Sequence, residues 1–217
     1  GDVSVQSGTI TASNNNTLTA SNGRVGIQKH DCPPNNCPDA IRPETSVVTA
    51  GNESNITASG DVIITNSTVK AANANKITSK NGKTTAKGAG ALVQSTNGDV
   101  TITQAKTANL DADYNQAQSV KAAGNIYFNV NGSGENINSD GTVGAFSADN
   151  RLVLNANNNI NLAKTGSWSI ARTDMIAGNN INVEATNGIL LNDTSFNSNN
   201  NTVTANGDVT INKDMTI

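Results

Sequence analysis

The amino-acid sequence predicts an all-β fold, a right-handed parallel β-helix with coils of about 20–22 residues and loops that leave the helix. A short phrase that recurs from one end of the chain to the other is the first observation behind this prediction. It consists of a turn residue followed by apolar, polar and apolar residues, a pattern typical of a short strand with one buried face. Its clearest copies begin at Gly1, Gly60, Gly98 and Gly207.

The spacing of the copies is the second observation. Gly1 and Gly23 are 22 residues apart, and Ile160 and Ile181 are 21 apart. A period of about 20 residues that holds two or three short strands fits one coil of a parallel β-helix, whereas a propeller blade needs about 40–45 residues. At about 4.8 Å per coil, about nine or ten coils form a rod of very roughly 45 Å.

The composition is the third observation. The 217 residues are 35% hydrophobic and only 3% aromatic, with a net charge of −3. Disordered chains combine high net charge with few β-branched residues, whereas Val, Ile and Thr recur here in register. Stacked Val, Ile, Leu and Ala side chains fill a narrow tube without large rings. We therefore expect one elongated body over residues 1–217 and, because its terminal coils lack a polar cap, a segment of a longer repeat protein.

Charged residues at the strand starts suggest how the first coils are aligned. An offset of 22 residues sets Asp2 against Arg24 and Asp61 against Lys83. Opposite charges on adjacent strands contribute about 0.2–1 kcal/mol per pair. We therefore expect these two side-chain pairs to hold the register.

Three segments interrupt the repeat. Residues 29–45 contain all four prolines, both cysteines and the only histidine, and proline removes a ladder donor and restricts φ, so this segment must be an insertion loop. Residues 103–123 are a second, irregular excursion, either a short helix laid along the rod or irregular coil. Residues 131–150, rich in Gly, Ser and Asn, are a third excursion.

Cys32 and Cys37 are close enough in sequence to close a short disulfide loop, which would contribute about 2 kcal/mol and indicate an oxidising compartment. Free thiols are the alternative. A zinc site needs four ligands, and His30 with Asp31 make a poor set, so we predict no metal and no cofactor. No nucleophile motif, phosphate-binding loop or dinucleotide fingerprint is present, so no catalytic residue is predicted.

Two groups of residues are candidates for binding. Trp168 and Arg172 combine an aromatic ring with an arginine, a pairing common in binding hot spots, although Trp168 is equally explained as a filler of the core. Asn161 and Asn182, which lie at equivalent outward positions, are explained structurally instead, because stacked amides form hydrogen-bonded ladders. The insertion loop offers a possible receptor-binding set: His30, Asp31, Asn35, Asn36, Asp39 and Arg42.

Residues 177–185 and 205–211 resemble the haemagglutinin repeats of filamentous-haemagglutinin-type exoproteins, the adhesins and contact-dependent inhibition proteins that Gram-negative bacteria export by two-partner secretion. The resemblance covers most of the chain outside 29–45 and 103–123. The family's secretion domain carries an Asn-Pro-Asn-type motif, and because no Asn-Pro occurs here, we expect an interior segment of the rod. No binding residues of the family carry over to this sequence.

The resemblance implies a secreted or cell-surface protein without enzymatic activity that attaches to host or neighbouring cells. Its implied partners are a glycan or protein receptor and, during export, an outer-membrane transporter, with no nucleic acid. The stalk of a contact-dependent toxin-delivery protein is an alternative. A polysaccharide-active β-helical enzyme is a further alternative, but its acidic and basic stacks would have to be the repeat positions already assigned to register.

Overall fold

The computed structural model describes residues 1–29, 45–141 and 145–212. They form nine stacked coils of a parallel β-solenoid, as the sequence predicts. Coils 1 to 4 have three strands each: β1 (Val3–Gln6), β2 (Thr9–Ala12), β3 (Asn16–Ala20), β4 (Val25–Gln28), β5 (Val47–Ala50), β6 (Glu53–Ala58), β7 (Val62–Thr65), β8 (Thr68–Ala71), β9 (Ala74–Ser79), β10 (Thr84–Lys87), β11 (Leu92–Ser95) and β12 (Asp99–Gln104).

The later coils are less uniform. Coil 5 contains the one-turn helix α1, and coils 7 to 9 have two strands each. These elements are β13 (Ala108–Asn109), α1 (Leu110–Asp113), β14 (Val120–Ala122), β15 (Ile126–Val130), β16 (Ile137–Ser139), β17 (Phe146–Ala148), β18 (Leu152–Ala156), β19 (Ile160–Lys164), β20 (Trp168–Ala177), β21 (Asn180–Ala185), β22 (Ile189–Asn197), β23 (Asn200–Ala205) and β24 (Val209–Asn212). In the described ranges no helix is long and apolar enough to cross a membrane.

Equivalent strands of successive coils build four parallel sheets. Sheet A joins β1, β4, β7 and β10, and sheet D, made of β13, β16, β19, β21 and β23, follows it further along the rod. Sheet B runs from β2 to β17 through β5, β8, β11 and β14. Sheet C has nine strands and extends through all the coils. In coils 7 and 8, one long strand, β20 or β22, replaces the separate strands of sheets B and C, and β24 of coil 9 pairs only with residues 189–192 of β22.

The core is a set of side-chain files that run along the rod. Strand residues alternate between inside and outside, so each strand contributes inward side chains to the files, and most of these side chains are apolar. Burial of one such side chain contributes about 1.5–3 kcal/mol, and stacking repeats this gain in every coil. The file under sheet C consists of Leu18, Ile56, Ile77, Ile102, Phe128, Leu154, Met175 and Phe196.

The register of the first coils confirms the predicted 22-residue offset, since Val3 pairs with Val25 and Val62 with Thr84. The predicted contact between charged side chains is wrong. Asp2 Oδ1 instead accepts a hydrogen bond of 2.8 Å from the backbone N–H of Arg24.

Asp61 shows the same arrangement two coils further on. Its Oδ1 accepts a hydrogen bond of 2.9 Å from the N–H of Lys83, whose ammonium group lies 3.3 Å from Asp113 instead. A Cβ at Gly82 would lie 2.3 Å from Asp61 Oδ1. The carboxylate therefore needs a glycine in the next coil, and Asp2 makes the same demand on Gly23.

The predicted interruptions are placed as follows. Within 103–123, strands β12, β13 and β14 keep the coil path, and only residues 110–119 leave it. Within 131–150, strands β16 and β17 belong to coil 6. Most of the insertion loop, residues 30–44, lies outside the described residues, but Ser46 Oγ, just beyond it, donates a hydrogen bond of 2.7 Å to the carbonyl of Gln28.

Candidate binding cleft

Sheet B stops between coils 6 and 7. Strand β17 pairs with β14, and residues 168–171 of β20 pair with residues 189–192 of β22. Among the described residues no ladder joins β17 to β20. The neighbouring sheets stay closed, because β18 pairs with β20 in sheet C and β16 pairs with β19 in sheet D. The wall of the solenoid is therefore open on one side at this level.

The opening is a cleft of about 360 Å³ that extends from the surface to the hydrophobic core. Ser169, Ala171 and Arg172 form its exposed rim. Its floor is apolar and is formed by Leu110, Leu154, Leu162, Ile170 and Met175. A ligand in this cleft would therefore contact core side chains that the other coils cover with a strand.

An aromatic cluster explains why β17, a strand of coil 6, packs against coil 5. The ring of Phe146 lies 5.1 Å from that of Tyr114 and 5.4 Å from that of Phe128, measured between centroids. Such tilted and edge-to-face pairs contribute about 0.5–1.5 kcal/mol each beyond their buried area. Tyr114 reaches the core because it directly follows α1. The excursion in coil 5 thus supplies the ring that holds one side of the cleft.

Trp168 forms a wall of the cleft and is held in one orientation. Its Nε1 donates a hydrogen bond of 3.0 Å to the carbonyl of Glu184, and the ammonium group of Lys164 lies 5.1 Å from the ring centroid. Gly141, with φ of +73°, lies against the ring edge, and a Cβ there would be 2.8 Å from Trp168 Cη2. The indole therefore packs on the core and also faces the cleft, and its role in binding stays a prediction.

Arg172 lies at the rim where β20 turns from the level of sheet B to that of sheet C. Its φ of 49° is left-handed, as is the φ of 53° at Asp193, the equivalent residue of the next coil. Ser7 and Asn66 adopt the same conformation at another corner. The left-handed conformation of Arg172 is therefore one that recurs where this chain turns from one sheet to the next. Its guanidinium group donates a hydrogen bond to the carbonyl of Asp149.

A charged network closes the corner next to the cleft. Arg151 Nε and Nη2 donate to the carboxylate of Asp174, and Arg151 Nη1 donates to that of Asp193 at 3.1 Å. These bonds raise the pKa of Arg151. The bonds from Arg151 and then from Ser195 lower the pKa of Asp174. The network ties coils 6, 7 and 8 together, and the 23-residue separation of Arg151 and Asp174, about one coil, is a sequence signal that would have revealed it.

Among the predicted site residues, Trp168 and Arg172 come together at the cleft. Phe146 and the floor residues were not predicted, because their spacing matches that of any core position. In the part of the chain that the structure describes, no cluster of three or more His, Cys, Asp or Glu side chains is arranged to hold a metal ion. The remaining predicted residues lie outside the described ranges: His30, Asp31, Cys32, Asn35, Asn36, Cys37, Asp39 and Arg42.

The fold and the cleft define the chain as a parallel β-solenoid with an apolar opening in one wall. Comparison of the chain with protein-family models, curated proteins and solved structures finds no match.

Proposed function

We propose that the chain is a rod-forming segment of a secreted or surface-exposed adhesin of the filamentous-haemagglutinin type from a Gram-negative bacterium. It acts as a rigid spacer without catalysis and attaches to a glycan or protein receptor on a host or neighbouring cell. The observation that carries this proposal is sheet C, in which nine parallel strands, one from each coil, are joined to one another by hydrogen-bonded ladders.

The ladder favours a role as a spacer. Nine coils at about 4.8 Å per step give a rod of about 40 Å in which each step is hydrogen-bonded to the next. Outward amides stiffen one side, because Asn161 donates to Asn138 and accepts from Asn182, each at 2.9 Å. A stiff rod holds its binding groups at a constant distance from the surface that carries it.

The coil structure also suits export through an outer-membrane transporter. In a solenoid each repeat contacts only its neighbours, so folding can propagate coil by coil as the chain emerges. The segment that resembles haemagglutinin repeats, residues 177–185, coincides with one structural unit: the turn at Gly178 leads into β21, whose Ile181 and Val183 are buried. The resembling segment therefore corresponds to one turn and one strand of a coil, and equivalent strands recur after 21 residues, as the pairing of Ile160 with Ile181 shows.

Attachment of purified protein to cells tests the proposal. Fluorescent beads coated with the chain are incubated with epithelial cells and with Gram-negative bacteria, and beads coated with heat-unfolded chain are the control. We expect several-fold more attachment of the folded chain to at least one cell type. Equal attachment of both bead types to every cell type tested would contradict the proposal.

A deletion assigns the contact to the insertion loop or to the rod. Beads carrying the chain without residues 30–43 are compared with beads carrying the full chain, after circular dichroism has shown equal strand content. If the loop holds the receptor contact, attachment falls to the control level. Unchanged attachment would exclude the loop and leave the wall of the rod, including the cleft.

A further inference from the structure

We propose that the cleft between β17 and β20 binds an extended, apolar polypeptide segment, which pairs with both strands and places a carboxylate at Arg172. Such strand addition is a known mode of peptide recognition. The inference deepens the proposed function, because it names polypeptide as the class of receptor. It rests on the proposed function only for the biological role of the bound segment.

The first argument is that a strand edge lies on each side of the cleft. Ala145 and Asp149 direct their backbone groups to sheet B, since Val120 N–H donates to the carbonyl of Ala145 and Asp149 N–H donates to that of Ala122, both at 3.0 Å. Backbone groups alternate in direction along a parallel strand, so those of Phe146 and Ala148 face the cleft.

The opposite edge is built in the same way. Trp168 N–H donates to the carbonyl of Gly188 at 3.0 Å, so Trp168 faces β22, and the backbone of Ser169 faces the cleft. The same alternation turns the N–H of Ala171 toward the cleft, while its carbonyl accepts a hydrogen bond from Thr173 Oγ1. Donors and acceptors therefore line both sides of the opening, where any other coil would have a continuous ladder.

This arrangement favours a polypeptide over a glycan. An extended peptide carries N–H and C=O groups at strand spacing on both of its edges, so it can complete sheet B on one side and extend the β20–β22 ladder on the other. A glycan offers hydroxyl groups without that spacing. Strand addition would thus restore the continuity that sheet B has from β2 to β17.

The floor of the cleft selects apolar side chains. Alternate side chains of a strand point to one face, so every second residue of the bound segment would meet Leu154, Leu162 and Met175. The volume of about 360 Å³ lies in the lower part of the range of ligand pockets. It accommodates the inward side chains of a short segment and excludes a folded domain.

The charge at the rim selects an anionic group. Among the described residues that line the cleft, Arg172 is the only charged one. Within the described ranges no carboxylate lies within ion-pair distance of its guanidinium group, whereas Arg151 pairs with both Asp174 and Asp193. A carboxylate of the bound segment would complement this cation.

Titration with a synthetic peptide tests the proposal. The probe is an acetylated and amidated hexapeptide in which Val alternates with Thr and whose last residue is Asp, added to the full chain. Trp168 is the only tryptophan of the chain, so its fluorescence reports occupancy of the cleft directly. We expect a saturable change in emission, and no such change up to about 1 mM peptide, a binding free energy near −4 kcal/mol, would overturn the proposal.

Two comparisons separate strand pairing from adventitious apolar binding. A peptide that is N-methylated on alternate residues lacks half of its backbone donors and should bind at least about 10-fold more weakly. Arg172→Gln should weaken the Asp-ending peptide about 10-fold and leave an otherwise identical Asn-ending peptide unchanged. Arg24→Gln, an exposed arginine on another part of the rod, is the matched control and should change neither.

The contrary results are equally specific. Equal binding of the N-methylated and unmodified peptides, or displacement of the peptide by a neutral hexasaccharide, would overturn strand addition. The bead assay keeps this failure apart from failure of the proposed function. Bead attachment without peptide binding contradicts only the inference, whereas peptide binding without bead attachment contradicts only the adhesin function.

Discussion

Arg151 donates hydrogen bonds of 2.7 and 2.6 Å to the two carboxylate oxygens of Asp174, which lies one coil further along the rod. The same guanidinium group reaches Asp193 two coils away. This brace lies at the corner beside the open cleft, where sheet B no longer connects coils 6 and 7. The polar network therefore connects coils 6 and 7 at a place where sheet B has no hydrogen-bonded ladder between them.

Asp174→Asn should lower the free energy of unfolding by about 1–2 kcal/mol at pH 7, because charge-assisted bonds are stronger than neutral ones but these side chains are partly exposed. The folded state lowers the pKa of Asp174. The stabilisation is therefore complete above the ordinary aspartate pKa of about 3.9 and is lost as the pH falls through the lower, folded pKa. Urea unfolding from pH 7 to pH 3 measures the difference in the free energy of unfolding between Asp174→Asn and the unchanged chain. Asp149→Asn, at an exposed position outside the network, is the control. A difference that persists at low pH would contradict this assignment.

Asn161→Ala should destabilise the rod by about 1 kcal/mol, because it removes the middle of the ladder formed with Asn138 and Asn182. Asn155→Ala is the control: Asn155 is an exposed strand residue in the neighbouring coil, whereas Asn161 is half-buried. It should change the free energy of unfolding by less than about 0.5 kcal/mol. Thermal or urea unfolding of the two variants measures the free energy of unfolding. Equal decreases in this free energy would mean that the amide ladder adds no stability.

Two substitutions at Asp61 distinguish a hydrogen-bond acceptor from a charge. Asp61→Ala should cost about 1 kcal/mol, since the N–H of Lys83 loses its partner. Asp61→Asn keeps an acceptor oxygen and should cost less than half as much. Urea midpoints of both variants provide the measurement. If Asn and Ala are equally destabilising, the charge of Asp61 matters more than its hydrogen bond.

Tyr114→Phe should leave the protein as stable or make it more stable by about 1–3 kcal/mol. Tyr114 is fully buried, and its hydroxyl group has no hydrogen-bond partner among the described residues. Burial, and then the carboxylate of Asp113, raise the pKa of this phenol well above its ordinary value. Replacement by Phe keeps the aromatic cluster and removes the cost of an unsatisfied buried group. A large loss of stability would reveal a partner for the hydroxyl, and Phe128→Leu, which breaks the cluster, shows the size of loss to expect from the rings.

Much of the fold was predictable because the relevant forces are local and periodic. Alternation of apolar and polar residues defines the strands, and a repeat of 21 or 22 residues defines which strands stack, as the pairing of Ile160 with Ile181 shows. The ladder of Asn161 and Asn182 follows from the same arithmetic. The contacts of the side chains at the strand starts did not follow from the repeat. Asp2 and Asp61 accept hydrogen bonds from backbone N–H groups, and a pattern of opposite charges in the sequence does not reveal such bonds.

The sequence by itself determined a stack of parallel coils, because the period of two within strands and the coil period allow one arrangement that buries every apolar face. Only the tertiary structure decided where the wall opens. That opening depends on Phe146 packing against Tyr114 and Phe128, and Tyr114 reaches them only after α1 has left the coil path. Contacts between residues that are distant in sequence and follow no period leave no signal in the repeat, so Trp168 and Arg172 were predictable as candidates but their shared cleft was not.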